Sequence, residues 1–237
     1  MSDLASATIV FDLDGTLVDT APDLMGTLNA LLAREGLPPL PLASARNLIG
    51  QGARALLARG FAEAGEPLPP ARLEALFGEF LPHYLARIAQ ESRPFEGVTE
   101  ALDDLARVGA RLAVCTNKPT ALSVALLRAL GLEDRFAAII GPDSAPAAKP
   151  DPRHLITAIE RAGGRLPHAV MVGDSISDAR AARNAGVPLV LVSFGYTDVP
   201  AQDLGADVLI DHFRDLPDAC ERLLSGSVTS PRPPENG

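Results

Sequence analysis

Short runs of apolar, often β-branched residues recur along the chain, and segments with helical spacing of apolar residues separate the later runs. The strand-like runs are almost continuously apolar, which is typical of strands buried on both faces of a sheet. They lie at Thr8–Leu13, Arg111–Thr116, Ala137–Gly141, Ala169–Gly173, Leu189–Phe194 and, more weakly, Val208–Ile210. The alternation of strands and helices predicts an α/β fold with a parallel sheet and crossover helices.

The segments between the later strands show one apolar stripe each and then a glycine. In Val98–Val108 the apolar residues recur at helical spacing, and Gly109, a residue type that often ends helices, follows directly. Thr120–Leu130 and Pro152–Ala162 end in the same way. We predict these segments to be crossover helices of the sheet.

A different pattern occupies residues 18–91, directly after the first strand. This region has Pro-rich connectors, no good strand, and helical stretches at Pro22–Arg34, Ala53–Ala64 and Arg72–Ile88. The break in pattern predicts a second, smaller helical domain. The predicted division is a core of residues 1–17 and 92–224, a helical insertion of residues 18–91, and a disordered Ser-, Pro- and Gly-rich tail at 225–237.

Composition excludes several classes of function. The 237 residues are 47% hydrophobic, and 21 Lys and Arg against 30 Asp and Glu give a formal net charge of −9. A chain this acidic lacks the positive field that nucleic-acid binding needs, so no nucleic-acid partner is expected. The apolar runs are too short to span a membrane, the first residues do not resemble a signal peptide, and two cysteines cannot form a disulfide framework. We expect a soluble, cytoplasmic protein without a membrane partner, of unassigned oligomeric state.

The first strand leads into two aspartates, Asp12 and Asp14, followed by Gly15. Side chains of a strand alternate between its faces, so both aspartates project to the same side where the strand leaves the sheet. Ligands of open α/β sheets bind beyond the carboxyl ends of the strands. We therefore interpret Asp12 and Asp14 as site residues. The alternative is a loop of solvated acids that caps the next helix.

Polar residues also follow the later strands. Thr116 and Asn117 can hold phosphoryl oxygens, although both residue types are also ordinary helix N-caps. Lys149 precedes a proline, which keeps it extended, and is either a fixed positive charge or a loop lysine. Asp174 and Asp178, four residues apart at the start of a helix, favour a cation site. Asp178 alone is also explained as a first-turn acid.

Lysine is rare in this chain. Of its 21 basic residues only Lys118 and Lys149 are lysines, and both follow strand-like segments. Chance is one explanation. The other is that these two positions require a compact ammonium group, where the planar fork of an arginine would not fit.

In order and content these motifs resemble those of the haloacid dehalogenase-like superfamily, in its branch of phosphatases with an aspartate nucleophile. The motifs are Asp12-Leu-Asp14-Gly-Thr16, Thr116-Asn117, Lys149-Pro150 and Gly173-Asp174-x-x-x-Asp178. The superfamily implies a Rossmann-like core and, for an insertion between the first two motifs, a helical cap domain. Within it the chain is similar to phosphoglycolate phosphatases, also through the stretches Leu48–Leu56, Thr116–Pro119, Phe194–Tyr196 and Leu204–Asp207.

This resemblance implies hydrolysis of a small phosphate monoester, with 2-phosphoglycolate giving glycolate and phosphate. Asp12 would be the nucleophile that forms a phosphoaspartate, and Asp14 would act as acid and then as base. Thr116, Asn117 and Lys149 would bind the phosphoryl group. A sugar-phosphate phosphatase or a phosphomutase of the same superfamily is the alternative, because such enzymes have similar caps.

The resemblance also implies a magnesium ion. Its ligands would be the carboxylates of Asp12 and Asp174 and the main-chain carbonyl of Asp14, with Asp178 behind them. Two other classes fit less well. A dehalogenase does not need an acid at Asp14, and a receiver domain would have no helical insertion after its first strand.

The start of one predicted cap helix is the candidate site for the far end of the substrate. Gly50 and Gly52 precede the helix Ala53–Ala64, and Arg54 lies in its first turn. A helix N-terminus has unpaired N–H groups, and glycines let an anion approach them closely. In the alternative, the glycines only form a turn and Arg54 is a solvated surface charge.

Overall fold

A computed structural model of the chain describes residues 3–226, apart from the side chains of Arg46 and Asn47. It contains a six-stranded parallel sheet, which confirms the predicted fold class, and a separate two-stranded pair. The sheet order is β5-β4-β1-β6-β7-β8, and β2 pairs with β3. The strands are β1 (Thr8–Phe11), β2 (Val18–Asp19), β3 (Arg93–Pro94), β4 (Arg111–Cys115), β5 (Ala138–Ile140), β6 (Ala169–Gly173), β7 (Leu189–Val192) and β8 (Val208–Ile210).

The helices fall into a group before β3 and a group that connects the strands of the sheet. They are α1 (Ala21–Arg34), α2 (Ala45–Leu48), α3 (Ala53–Glu63), α4 (Pro70–Leu85), α5 (Val98–Arg107), α6 (Thr120–Ala129), α7 (Pro152–Arg161), α8 (Ile176–Ala185) and α9 (Leu216–Leu224). The predicted helices are present, and their ends differ from the predicted ones by at most three residues. Within residues 3–226, no helix has the length and apolar character that crossing a membrane requires.

Strand β1 lies at the centre of the sheet, level with both of its neighbours. Phe11 is opposite Val114 of β4 and Val172 of β6. Ile9 and Phe11 pack in the apolar cluster on one face of the sheet, and Val10 packs in the cluster on the other. Because the three strands are parallel and in register, the residues that follow them meet at one edge of the sheet.

Helices α1, α3 and α4 pack around an apolar cluster of their own, which includes Leu28 and Phe80. Two residues from the sheet-forming part of the chain, Leu122 and Tyr196, complete this cluster. A separate cluster is what a second helical unit would form. The limits 18–91 of that unit stay a prediction, as does the disordered tail, most of which lies outside the described residues.

The expectation of no strand in residues 18–91 is wrong at the first two of them. Val18 and Asp19 form β2, which pairs antiparallel with Pro94 and Arg93 of β3. A two-residue pairing between segments far apart in the chain produces no periodic pattern, so it is not predictable from the sequence. The pairing joins the points where the chain enters and leaves the helical segment.

Candidate active site

The first motif forms a sharp turn at the end of β1. The main-chain N–H of Asp12 donates to the carbonyl of Val172 on β6 at 2.9 Å, and Gly15 then adopts a φ of +86°. A Cβ on Gly15 would lie 2.5 Å from Oδ2 of Asp174. Both the backbone conformation and the lack of space therefore require glycine. The turn brings the first and fourth motifs together.

Three buried aspartates meet at this edge of the sheet. Asp12, Asp174 and Asp178 each offer a carboxylate oxygen within 4.8 Å of the others. Burial, opposed by Lys149, raises the pKa of Asp12 to about 7. Burial and the neighbouring carboxylates raise the pKa of Asp174 well above its usual value. A divalent cation would stabilise the ionised form of such a group, and hard oxygen donors are the ligands that Mg²⁺ prefers. The residues fit the implied metal.

Asp178 caps helix α8, as its interpretation as a first-turn acid predicted, and it also contacts Lys149. Its Oδ2 accepts hydrogen bonds from the main-chain N–H groups of Asp174 and Ser175, at 3.2 and 3.0 Å, and from the Ser175 hydroxyl at 2.7 Å. These contacts cap helix α8. Its Oδ1 lies 2.7 Å from Nζ of Lys149. Asp178 is thereby tied both to the start of α8 and to Lys149.

Two residues that the sequence analysis did not assign hold the carboxylate of Asp174. The hydroxyl of Thr16 donates to Oδ1 at 2.7 Å, and the main-chain N–H of Tyr196 donates to Oδ2 at 2.6 Å. The Tyr196 hydroxyl in turn donates to Asp19 and accepts from the N–H of Ala21 at 3.0 Å. Tyr196 thus connects the acidic cluster to the start of the helical segment.

Lys149 is a fixed internal charge. Its Nζ lies 2.8 Å from Oδ1 of Asp12, and its side chain is 1% exposed. Burial alone would lower its pKa, but the charges of Asp12 and Asp178 outweigh burial and raise it. This geometry supports the interpretation as a functional charge and excludes the solvated loop lysine.

His154, which the sequence analysis did not assign, fixes the backbone at Lys149. The N–H of Lys149 donates to Nδ1 of His154 at 3.0 Å, and Nε2–H of the ring faces the carbonyl of Ile140 at 3.2 Å. Since Nδ1 accepts, the ring is neutral with its proton on Nε2. Burial, and then the charge of Lys149, lower the pKa of His154 to about 4.

We expect acid to destabilise the fold through His154. The folded protein keeps the ring neutral down to pH of about 4, whereas the unfolded chain takes up a proton below the ordinary pKa of 6.5. The contribution of His154 to stability is therefore complete above pH 6.5 and is lost as the pH falls toward 4. A shift of this size predicts a loss of roughly 2–3 kcal/mol in unfolding free energy by about pH 4.5.

Urea unfolding at a series of pH values measures this loss. His154→Asn should lose roughly 2–3 kcal/mol less than the wild type on acidification. His83→Asn, a matched change at a partly exposed position of α4, should follow the wild type. The same acid-induced loss in His154→Asn as in the wild type would contradict the assignment.

Thr116 and Asn117 form a loop after β4 and do not cap a helix. Helix α6 begins after Pro119 without a side-chain cap, so the N-cap interpretation of these two residues is wrong. The Asn117 Nδ2 donates to the carbonyl of Lys149 at 3.1 Å. Its buried Oδ1 has no hydrogen-bond partner among the described residues. Thr116 and Asn117 line the cleft above the acidic cluster, where a polar ligand would meet them.

Lys118, the second lysine, also belongs to the site. Its Nζ lies 2.7 and 2.9 Å from the two oxygens of Asp14, and Oδ1 of Asp14 also accepts from the Thr20 hydroxyl at 2.7 Å. The ammonium is 4.7 Å from the ring centroid of Tyr84 on α4. Burial opposes the charge, but Asp14 outweighs burial and the pKa of Lys118 is raised. The rarity of lysine in the sequence was the signal that pointed to Lys118. Each of the two lysines pairs with an aspartate of the first motif.

The structure separates the three predicted cap residues. Gly50 and Gly52 line the same cleft as the first-motif aspartates. Arg54 lies outside that cleft, in a neighbouring one. Its guanidinium forms two hydrogen bonds with Glu74, at 2.8 and 2.9 Å, lies over the ring of Phe77, and is 55% exposed. Its position matches the alternative of a surface charge.

Aspartates and buried lysines lie together beyond the carboxyl edge of a parallel sheet, next to a cluster of helices. This arrangement defines a class of α/β enzymes whose active-site aspartates lie at the ends of strands. A family model described as haloacid dehalogenase-like hydrolase matches residues 7–186. The chain belongs to this family of hydrolases, as its motifs predicted.

Named relatives and solved structures agree with this membership. A phosphoglycolate phosphatase from Caulobacter vibrioides is 60% identical over 225 residues, which are 95% of this chain and 95% of that protein. An N-acetylmuramic acid 6-phosphate phosphatase from Pseudomonas aeruginosa is 36% identical over 91% of this chain and 95% of that protein. A crystal structure described as a predicted phosphoglycolate phosphatase from Haemophilus somnus matches with a TM-score of 0.84 and 31% identity, over 92% of this chain and 99% of that one. The expected similarity to phosphoglycolate phosphatases is confirmed.

Proposed function

We propose that the chain is a magnesium-dependent phosphatase that hydrolyses 2-phosphoglycolate to glycolate and inorganic phosphate. The observation that carries the proposal is the buried pair of Asp12 and Lys149, 2.8 Å apart beside Asp174. An ionised carboxylate is a nucleophile without prior activation, and a fixed positive charge beside it favours the approach of a phosphoryl dianion. The name of the relative from Caulobacter vibrioides supports this substrate.

In the first step, a carboxylate oxygen of Asp12 attacks phosphorus. The bond between phosphorus and the glycolate oxygen breaks, and a phosphoaspartate forms. Asp14, which enters this step in its protonated form with a proton from solvent, donates that proton to the departing oxygen, so that glycolate leaves as an alcohol. Lys149 and the N–H of Leu13 both contact Oδ1 of Asp12, which directs Oδ2 to the attack.

In the second step, water cleaves the intermediate. Asp14, now a carboxylate, takes a proton from the water, whose oxygen attacks phosphorus. The bond between phosphorus and Asp12 breaks, inorganic phosphate leaves, and both aspartates return to their starting states. Thr116 and Asn117 are placed to hold the phosphoryl oxygens in both steps.

The carboxylates of Asp12 and Asp174 and the main-chain carbonyl of Asp14 would hold the Mg²⁺. When bound, the ion would offset the negative charge that the phosphoryl group and the aspartates bring together. Asp178 positions Lys149 and caps α8.

We infer that residues 18–91 act as a cap over a core of residues 1–17 and 92–224. The cap side of the cleft is apolar and includes Leu56 and Phe80, with Gly50 and Gly52 at its edge. An apolar surface over the site excludes water, and the exclusion of water strengthens the electrostatic interactions within the site.

A sugar phosphate is the second candidate substrate, because the 36% identical relative is named for N-acetylmuramic acid 6-phosphate. A phosphomutase would use the same core residues but would return an isomer of its substrate. Product analysis separates the two, since only a phosphatase releases inorganic phosphate in step with substrate loss.

We expect the protein with Mg²⁺ to release phosphate from 2-phosphoglycolate with a kcat/KM roughly ten- to a hundredfold higher than from 2-hydroxyethyl phosphate, in which a hydroxymethyl group replaces the carboxylate. EDTA should stop the release, and added Mg²⁺ should restore it. A higher kcat/KM for N-acetylmuramic acid 6-phosphate would favour the second candidate. Full activity in EDTA would contradict the metal site.

A further inference from the structure

We propose that Lys118 selects substrates with a carboxylate and does so by exchanging Asp14 for the carboxylate of the substrate. The inference rests on the proposed phosphatase function and extends it to a class of substrates, phosphate esters of small hydroxy acids. It also gives a role to the buried ion pair between Lys118 and Asp14.

The charges around the cleft indicate where a second anion would bind. Among the described residues that line the cleft, Lys118 is the one cation. Leu56, Phe80 and Tyr84 line the same cleft, and the ring of Tyr84 lies 4.7 Å from the Lys118 ammonium. Apolar walls lower the local dielectric constant, which strengthens the attraction between an ammonium group and an anion. A substrate with its phosphoryl group at Asp12 would meet this charge at its far end.

Arg54 is another cation near this end of the molecule, and its surroundings make it a weaker candidate than Lys118. Glu74 engages its guanidinium twice, and the ring of Phe77 lies beneath it. Its side chain is half exposed and lines a different cleft. Solvent screens a charge in such a position, and a substrate would have to compete with Glu74 for it.

The contacts of Lys118 favour an exchange of partners over simple addition of a second anion. Its side chain is 4% exposed, and a buried ammonium group needs an anionic partner. Asp14 now supplies that partner with both carboxylate oxygens, at 2.7 and 2.9 Å. To reach the leaving oxygen, Asp14 has to give up at least one of these contacts.

A substrate carboxylate has the same charge and the same two-oxygen geometry as the carboxylate of Asp14. It can therefore replace Asp14 on Lys118 and leave the Asp14 side chain free to turn toward the leaving oxygen. An ester without a carboxylate leaves Asp14 bound to Lys118 and is hydrolysed slowly. Lys118 thereby couples recognition of the substrate to the release of the catalytic acid.

The test compares 2-phosphoglycolate with 2-hydroxyethyl phosphate in Lys118→Met, which keeps most of the length of the side chain and removes its charge. For 2-phosphoglycolate we expect kcat/KM to fall roughly ten- to a hundredfold, the effect of one hydrogen bond to a charged group. For 2-hydroxyethyl phosphate, which offers Lys118 no carboxylate, we expect kcat/KM to fall far less, so that the preference for 2-phosphoglycolate disappears. Arg54→Ala, the control, should keep the wild-type preference.

Thermal unfolding verifies that each variant is folded, and Lys118→Gln replaces Lys118→Met if the latter does not fold. Equal losses on both esters in the Lys118 variants would show a structural role and overturn the proposal. Loss of the preference in Arg54→Ala alone would assign the carboxylate to Arg54 instead. A wild type that does not hydrolyse 2-phosphoglycolate would refute the proposed function itself. A wild type with a preference that Lys118→Met retains would refute the Lys118 assignment alone.

Discussion

Asp12→Asn should reduce turnover of 2-phosphoglycolate by on the order of 10⁵-fold or more, the scale of losing an enzyme nucleophile. The amide does not form an acyl phosphate, and it withdraws one negative ligand from the acidic cluster. The fold should survive, because Lys149 keeps Asp178 as a partner at 2.7 Å. Burial raises the pKa of Asp12 to about 7, so the ionised carboxylate is not needed for stability. We expect the thermal midpoint without Mg²⁺ to stay close to that of the wild type.

Rapid quenching of the wild type with ³²P-labelled substrate should trap a base-labile phosphoprotein, with the label on the peptide that contains Asp12. Asp103→Asn makes the same chemical change at an exposed position and should keep full activity. Labelled phosphate on any other residue, or substantial turnover by Asp12→Asn, would refute the covalent mechanism.

Asp14→Asn should bind 2-phosphoglycolate but hydrolyse it roughly 10²–10⁴-fold more slowly, the usual contribution of a positioned acid and base. Both steps need Asp14 for this substrate, because glycolate is a poor leaving group and water must be deprotonated. With p-nitrophenyl phosphate the first step needs no proton. Asp14→Asn should then give a rapid burst of p-nitrophenol, about one per active site, followed by slow turnover.

Stopped-flow absorbance measures this burst, and quenching during the slow phase should recover phosphoprotein. The wild type should show a weaker burst, because its second step is fast. If Asp14→Asn loses the same factor in the first step for both esters, Asp14 does not act as the acid, and the role of this carboxylate lies in holding Lys118.

The parts of the site that the sequence predicted are those that depend on local pattern. A run of apolar residues marks each buried strand, and the next polar residue lies at the edge of the sheet. That reasoning placed Asp12, Thr116 and Asp174 together, because three parallel strands in register end at the same level. Asp178 bears out its local interpretation as a first-turn acid, since one oxygen caps α8, whereas the contact of its other oxygen with Lys149 was not predicted.

The contacts that the sequence did not predict join residues far apart in the chain through side chains in loops. Nothing in the spacing of Lys118 and Asp14 indicates an ion pair, because neither side chain belongs to a periodic element. Arg54 was placed near the substrate by its position in a first turn. Its actual partner, Glu74, is on the next long helix, where only the packing of α3 against α4 brings it within reach.

The apolar cluster of the helical segment includes Leu122 and Tyr196, which the chain supplies from outside residues 18–91. Tyr196 also holds Asp174 through its main-chain N–H. The helical segment is therefore not a self-contained unit that protein engineering could exchange by itself. In a chimaera with the helical segment of another protein, the apolar side chains that face Tyr196 would no longer fit it. A displaced Tyr196 would in turn disturb the position of Asp174. To exchange substrate preference within the family, recombination would have to transfer residues 18–91 together with the two segments that contain Leu122 and Tyr196.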